Sequence, residues 1–306
     1  MPMARSVADP LAAWLQDQLG IRLKARTPVG GGCIHSAWCL ETSDGTRLFA
    51  KTNKAHQLPL LEAEAEGLEA LAGVAPSGLL IPSPLALGLA DGQAVLVLPW
   101  LELGQTTASP PGSWAAFGAD LARLHRCSLP SDLQASSVSR SFGWDRDNFI
   151  GTSPQRNSWR ESWSTFFAEC RLKPQLDWLT RRGRANEGAE RLLAILPTLL
   201  EGHSPEPCLV HGDLWSGNGA LVAGGGASLF DPAVYRADRE TDLAMARLFG
   251  GFPAAFFQGY NEVWPLAEGW QRREPIYQLY HLLNHANLFG GHYTGSAQTV
   301  IRSLLG

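Results

Sequence analysis

Apolar residues recur along this chain first at short, strand-like spacings and later at helical ones. Residues 10–19 read as a helix. Residues 37–40 then alternate between apolar and polar, and residues 47–51 form a short strand-like run ending in Lys51. Residues 60–71 are rich in helix formers, and Leu61, Ala65, Leu68 and Leu71 recur at the helical period, so one face is apolar. Two strand-like pieces flank an Asp91-Gly92 turn, and the second, residues 94–98, is apolar throughout, as a buried strand is. The residues from Gly104 to Gly112 have the Gly, Thr, Ser and Pro content of a linker. Beyond them Trp114, Phe117, Leu121 and Leu124 mark one face of an amphipathic helix. His125 follows on that helix and is expected to be structural. The remainder reads as helical and Trp-rich, interrupted by apolar strands at residues 208–210 and 228–230 with a Gly-rich turn at 223–227.

Composition narrows the class. At 306 residues and 45% hydrophobic, the chain can bury one large core or two smaller ones. A net charge of −4 without a long basic run argues against a nucleic-acid partner. No stretch of about 18 apolar residues suggests a membrane span, and residues 1–10 lack the apolar core of a signal peptide. The five cysteines are scattered, with neither metal spacing nor a disulfide framework, so a reducing, cytoplasmic setting is expected.

The candidate chemistry lies in two loops. Residues 211–218 read His-Gly-Asp-Leu-Trp-Ser-Gly-Asn, and residues 230–232 read Phe-Asp-Pro. An Asp, an Asn five positions later and a second Asp thirteen beyond that have the spacing of a kinase catalytic loop and its metal-binding Asp. A phosphoryl group moving from ATP to an alcohol spreads negative charge over its oxygens, which the protein must neutralise while holding the alcohol in line. Asp213 is expected to accept or orient the hydroxyl proton. Asn218 and Asp231 offer one neutral and one charged oxygen to Mg²⁺, which takes few carboxylates and fills its octahedron with phosphate and water. Trp215, inside the loop, is a candidate face for the acceptor, with a core Trp as the alternative. Asp242, eleven residues past Asp231 and opening a helix, is expected to hold the catalytic loop by accepting its backbone N–H groups.

A kinase also needs a cation on the phosphates. Lys51 is that candidate, and Glu64, which falls inside the apolar stripe of the helix at 60–71, is its expected partner, because an inward carboxylate needs one. Glu62, Glu66 and Glu69 are expected on a solvated face. The turn at Gly30, Gly31 and Gly32 stands where backbone N–H groups could approach phosphates, although it matches neither Gly-x-Gly-x-x-Gly nor a Walker A loop. Cys33 in this turn is a candidate redox-sensitive thiol, the alternative being an inert small side chain. Pro99, Trp100 and Leu101 read as a hinge whose backbone could bind adenine. His281 and His285 stand four apart, but Leu282 occupies the place of the Glu that follows the first His of a zinc helix, so packing is expected there. Asn148, Gln155, Asn157, Trp159 and Trp163 form a polar and aromatic stretch, some of which could line an acceptor cleft.

These motifs, with residues 62–68, 163–169, 238–245, 248–251 and 277–291, resemble the fructosamine kinase (ketosamine-3-kinase) family over residues 28–295. The Trp-Ser-Gly interior of the catalytic loop and the later Leu-Phe-Gly-Gly are the family-specific parts. The bare His-Gly-Asp…Asn is shared with aminoglycoside and choline kinases. The resemblance implies an α+β, bilobal protein-kinase-like fold with a small β-rich N-lobe and a mainly helical C-lobe. The expected boundaries are 1–98 for the N-lobe with its Gly-rich hairpin, Lys strand and Glu helix, 99–112 for hinge and linker, and 113–306 for the C-lobe with the catalytic and metal-binding loops and acceptor cleft. It further implies ATP and Mg²⁺ as cofactors, His211 and Asp242 as structural support, and phosphorylation of the third hydroxyl of ketosamines, free or on glycated proteins, as a deglycation activity. Another small-molecule kinase of aminoglycoside or choline kinase type, and a catalytically inactive kinase-like binding module, stand as alternatives. No nucleic acid or membrane partner is expected, and monomer and dimer both stay open.

Overall fold

The structure, a computed structural model, describes residues 9–30, 34–104, 112–129 and 141–306, so Gly31, Gly32 and Cys33 lie outside the described residues. The chain divides into two compact units, one of residues 1–72 and 81–102, the other of residues 73–80 and 103–306.

The first unit opens with α1 (Pro10–Leu19), capped by the Asp9 carboxylate on the Leu11 N–H and closed by Gly20 in a left-handed conformation. β1 (Leu23–Val29), β2 (Ser36–Thr42) and β3 (Arg47–Lys54) follow as an antiparallel meander. A short 3-10 turn leads into α2 (Leu58–Ala72). After β4 (Leu79–Leu80), which belongs to the second unit, β5 (Ala86–Ala90) and β6 (Gln93–Pro99) complete a five-stranded sheet in the order β1-β2-β3-β6-β5. The apolar run from Ala94 to Leu98 is buried, as a central strand must be. One face packs Leu40, Leu48, Ala50, Val95 and Val97 against Leu11 and Leu15 of α1.

The second unit is mainly helical. Its elements are α3 (Ser113–Cys127), the hairpin β7 (Asn148–Ile150) and β8 (Ser153–Gln155), α4 (Trp163–Phe166), a π-helical segment (Phe167–Leu172), α5 (Lys173–Arg181) and α6 (Ala189–Leu199). The short strands β9 (Cys208–Val210), β10 (Gly219–Leu221), β11 (Ala227–Leu229) and β12 (Tyr235–Ala237) come next. The chain then runs through α7 (Glu240–Leu248), α8 (Ala254–Val263), α9 (Trp270–Phe289) and α10 (His292–Leu305). An aromatic core including Phe142, Trp163, Phe166, Phe167, Tyr235, Tyr277 and Tyr280 joins α4, α5, α6, α7, α9 and α10 to β9 and β12. No helix among the described residues is long and apolar enough to cross a membrane.

Two boundaries differ from the sequence expectation. Residues 73–80, expected in the N-lobe, belong to the second unit, because β4 pairs in parallel with β11 and Gly78 O accepts the Ala227 N–H. Pro99, expected as hinge, ends β6 opposite Leu48, and the first unit runs on to Glu102. An ion pair between Arg47 and Glu102, with the Trp100 indole N–H donating to Glu102 at 2.8 Å, ties this segment back to β3.

Candidate active site

In the first unit, Lys51 sits on β3 between Ala37 of β2 and Leu96 of β6. Its ammonium lies 2.7 Å from Glu64 Oε1 on α2, and the residues are 6% and 7% exposed. Glu64 shares the buried stripe of α2 with Leu61, Ala65, Leu68 and Leu71, so the helical period aims it inward. The pair is therefore desolvated. Glu69 is exposed as expected, whereas Glu62 and Glu66 are half-buried and take part in interactions of their own.

In the second unit, the loop between β9 and β10 carries His211, Asp213, Trp215 and Asn218, and Asp231 follows β11. Asp242, in the first turn of α7, accepts the His211 N–H at 2.7 Å and the Gly212 N–H at 2.8 Å, one on each oxygen. Burial alone would raise its carboxyl. The hydrogen bonds from His125 and from the Gly212 amide outweigh that and hold it below the usual carboxylate value. His125 is fully buried, with one ring nitrogen 3.2 Å from Asp242 Oδ2 and the other 2.9 Å from the Tyr260 hydroxyl, which fits a structural role. His211 Nδ1 accepts the Asp213 N–H at 3.3 Å, so its Nε2 donates to Phe230 O at 3.0 Å, and burial keeps the ring neutral.

Gly212 stands where protein kinases carry Arg, and the structure supplies the reason. Its φ is +83°, and a Cβ there would lie 2.1 Å from the Ala233 carbonyl oxygen. Gly212→Ala is therefore expected to cost about 3 kcal/mol and displace Asp213, read as a lowered Tm together with lost turnover.

Asn218 and Asp231 come together with Asp213. The Asn218 amide nitrogen donates to Asp213 O at 2.9 Å, lies 3.3 Å from Asp213 Oδ2, and reaches Asp231 O at 3.5 Å. Its amide oxygen accepts no hydrogen bond from the described residues. Asp231 holds a left-handed φ of 57°, which Asp tolerates better than branched residues do. Asp213 is pushed up to about 7, first by burial and then by the charges of Asp231 and Asp242, with the Asn218 hydrogen bond opposing. The Asp231 carboxylate and the Asn218 amide oxygen are hard donors, and with the neighbouring charge of Asp213 they suit a divalent cation such as Mg²⁺.

Trp215 is 39% exposed, beside Gly217 of the same loop. Asn148, Gln155, Asn157 and Trp163 are buried, which removes them as cleft lining. The three amides form a closed network: the Gln155 and Asn157 amide nitrogens donate to Asn148 Oδ1, and Arg171 from the π-helical segment donates to Asn157 Oδ1, each at 2.8 Å. Among the described residues, His203, Asp238 and Glu240 are the acids and imidazole grouped closely enough to hold a metal, but their ligand atoms are already engaged. His203 and Tyr277 meet Asp238 Oδ2 at 2.6 Å each, and Arg273 donates to both Glu240 oxygens. Sequence reasoning missed one residue near Asp213. His281 of α9 lies with Nδ1 4.0 Å from Asp213 Oδ1, and only a helical His lacking a zinc motif signalled it.

The sequence model of the fructosamine kinase family matches residues 6–306. The chain belongs to the fructosamine kinase family. A probable ketoamine kinase of Synechocystis sp. is 44% identical over 93% of this chain and 91% of its own length. The chloroplastic protein-ribulosamine 3-kinase of Oryza sativa subsp. japonica is 34% identical over 99% of this chain and 85% of its own. A solved structure from Thermobifida fusca YX-ER1, assigned as a fructosamine-3-kinase, is 33% identical and superposes with a TM-score of 0.81 over 96% of this chain and 98% of that one. A thermostable mutant of the aminoglycoside phosphotransferase APH(4)-Ia, solved with AMP-PNP and hygromycin B, is 17% identical with a TM-score of 0.62 over 97% and 100% of the two chains. That likeness shows the shared α+β kinase-like fold and nothing finer. Fructosamine kinase membership thus accounts for both the β-rich first unit and the helical second one.

Proposed function

We propose that the protein is an ATP-dependent ketosamine kinase that phosphorylates the third hydroxyl of ribulosamine or fructosamine adducts, on small amines or on proteins. The observation that carries this reading is the loop clamped by Asp242, which holds Asp213, Asn218 and Asp231 together in a chain of the fructosamine kinase family. Asp213 takes the proton of the acceptor hydroxyl. The freed oxygen forms a bond to the γ-phosphorus of ATP, the bond from that phosphorus to the β,γ-bridging oxygen breaks, and ADP leaves. Lys51, held by Glu64, binds the nucleotide phosphates, Gly30 offers its backbone N–H to them, and the segment of Pro99, Trp100 and Leu101 offers its backbone to adenine. Asn218 and Asp231 hold Mg²⁺, which neutralises phosphate charge. Trp215 presents an apolar face to the C–H surface of the sugar. His211 and Asp242 keep the loop in shape.

A phosphate on the third carbon stands beside the ketose carbonyl at the second. It leaves readily by elimination, so the product can break down and release the amine, which is a repair of glycation. The free thiols Cys39, Cys127, Cys170 and Cys208 support a reducing, cytoplasmic setting.

The test is ATP consumption in the presence of Mg²⁺ against ribulosamine, fructosamine, aminoglycoside and choline acceptors. Turnover is expected on a ketosamine and not on the other two classes. Turnover on an aminoglycoside or choline alone would keep the kinase chemistry and discard the ketosamine. ATP binding without turnover on any acceptor would favour a binding module.

A further inference from the structure

His281 is 2% exposed, and its Nδ1 has no hydrogen-bond partner among the described residues. A buried polar nitrogen without a partner is costly, and natural cores seldom keep one without a use. The polar group in front of this nitrogen is Asp213 Oδ1, at 4.0 Å. A shift of the carboxylate by about 1 Å would bring the two to hydrogen-bond length. Bonds of this kind are often long in an enzyme without substrate and tighten in the complex.

Burial holds the imidazole near about 3, with His285 and Arg171 pushing in the same direction and Asp242 opposing, so the ring is neutral. A neutral imidazole carries one N–H, and an ionised carboxylate only accepts, so attraction between the two places the hydrogen on Nδ1.

The surroundings fix this ring in place. The neighbouring Tyr280 donates its hydroxyl to Gln155 Oε1 at 2.7 Å and so joins the Asn148, Gln155 and Asn157 network. Arg171 closes that network from the π-helical segment, stacked 3.7 Å over the Tyr235 ring. One turn along α9, His285 Nδ1 lies 2.9 Å from the His281 carbonyl oxygen. π-helical insertions in α-helices occur often at functional sites, and here the insertion supplies the cation that anchors the helix carrying His281.

We propose that His281 is a positioning residue for Asp213, donating from Nδ1 to Asp213 Oδ1 in the working enzyme and leaving Oδ2 to the acceptor hydroxyl. A carboxylate has about four lone-pair sites, so Oδ2 can keep its contact with Asn218 and still receive the hydroxyl. The inference rests on the reading of Asp213 as the group that takes the acceptor's proton.

The test compares wild type, His281→Leu and His281→Asn. Leu has nearly the volume of His but no donor, whereas the Asn amide nitrogen can stand where Nδ1 stood. Steady-state kinetics on a ketosamine are read with KM for ATP and with Tm. His281→Leu is expected to lose about 100-fold in kcat with KM for ATP within twofold, as misplacing a reacting group by about 1 Å does. His281→Asn is expected to recover at least about tenfold of that loss. Two results overturn the proposal: His281→Leu within twofold of wild type in kcat, or His281→Asn no better than His281→Leu at equal Tm. A wild type silent on ketosamines overturns the substrate reading instead. The same three proteins are then compared on slow ATP hydrolysis, where Asp213 orients water, and the same two results decide.

Discussion

Asp213→Asn is expected to lower kcat by about 10³-fold while making the ligand-free protein more stable. The loss follows from removing the group that takes the proton, since amide nitrogen and oxygen cannot accept it at neutral pH. The gain follows from the site's electrostatics. Burial, then Asp231 and Asp242, push the Asp213 carboxyl up to about 7, far above its value of 3.8 in an unfolded chain. The folded protein therefore binds a proton that the unfolded one has released between about pH 4 and pH 7, and stability contributed by this group falls as pH rises through that window. Above about pH 7 the full penalty is present, and below about pH 4 it is absent. Three pH units correspond to about 4 kcal/mol. The side chain is still 21% exposed, so water screens part of that, and about 2 kcal/mol is the expected gain on substitution at pH 8. Melting curves without nucleotide or divalent cation, at pH 8 and pH 5, check this. The variant should melt higher at pH 8, and the difference should shrink at pH 5. Equal melting at both values would mean that the three carboxylates do not interact as described.

Lys51→Met is expected to cost about 10²-fold or more in kcat/KM for ATP, by removing charge from the phosphates. It is also expected to cost about 3–5 kcal/mol of stability, because the buried Lys51–Glu64 ion pair is broken. The double variant Lys51→Met with Glu64→Leu separates the two effects. An apolar pair of similar volume removes the buried carboxylate as well, so stability should return to near wild type while activity stays lost. Thermal melts of both proteins, with ATP kinetics, check this. A double variant no more stable than the single one would show that Lys51 stabilises the first unit by packing and not by pairing.

Much of the first unit was legible because its elements are local. The helix at Pro10–Leu19 and the hairpin about Asp91-Gly92 follow from short-range pattern, and Asp91 takes the left-handed φ of 44° that such a turn uses. Glu64 could be picked from four glutamates because helical period alone decides which one faces inward, and its distance to Lys51 is a consequence. What escaped was long-range. β4 is two residues long and gains its identity from pairing with Ala227 and Ser228, nearly 150 residues away, so no local period marks it. By sequence some of Asn148, Gln155 and Asn157 could line a cleft, because polar residues are usually exposed. Their burial depends on Arg171, whose place in the core comes from a π-helical insertion that the pattern does not announce. His281 reads as packing for a related reason. Its approach to Asp213 joins two segments 68 residues apart, and only the folded chain brings them together.

The most direct test of the account is to locate the transferred phosphate. Wild type and Asp213→Asn are incubated with Mg²⁺, ATP and a ribulosamine, and the product is read by phosphorus–proton correlation NMR. The account predicts phosphate on the third hydroxyl with wild type and almost none with the variant. Phosphate on another hydroxyl, or equal product from both proteins, would contradict it.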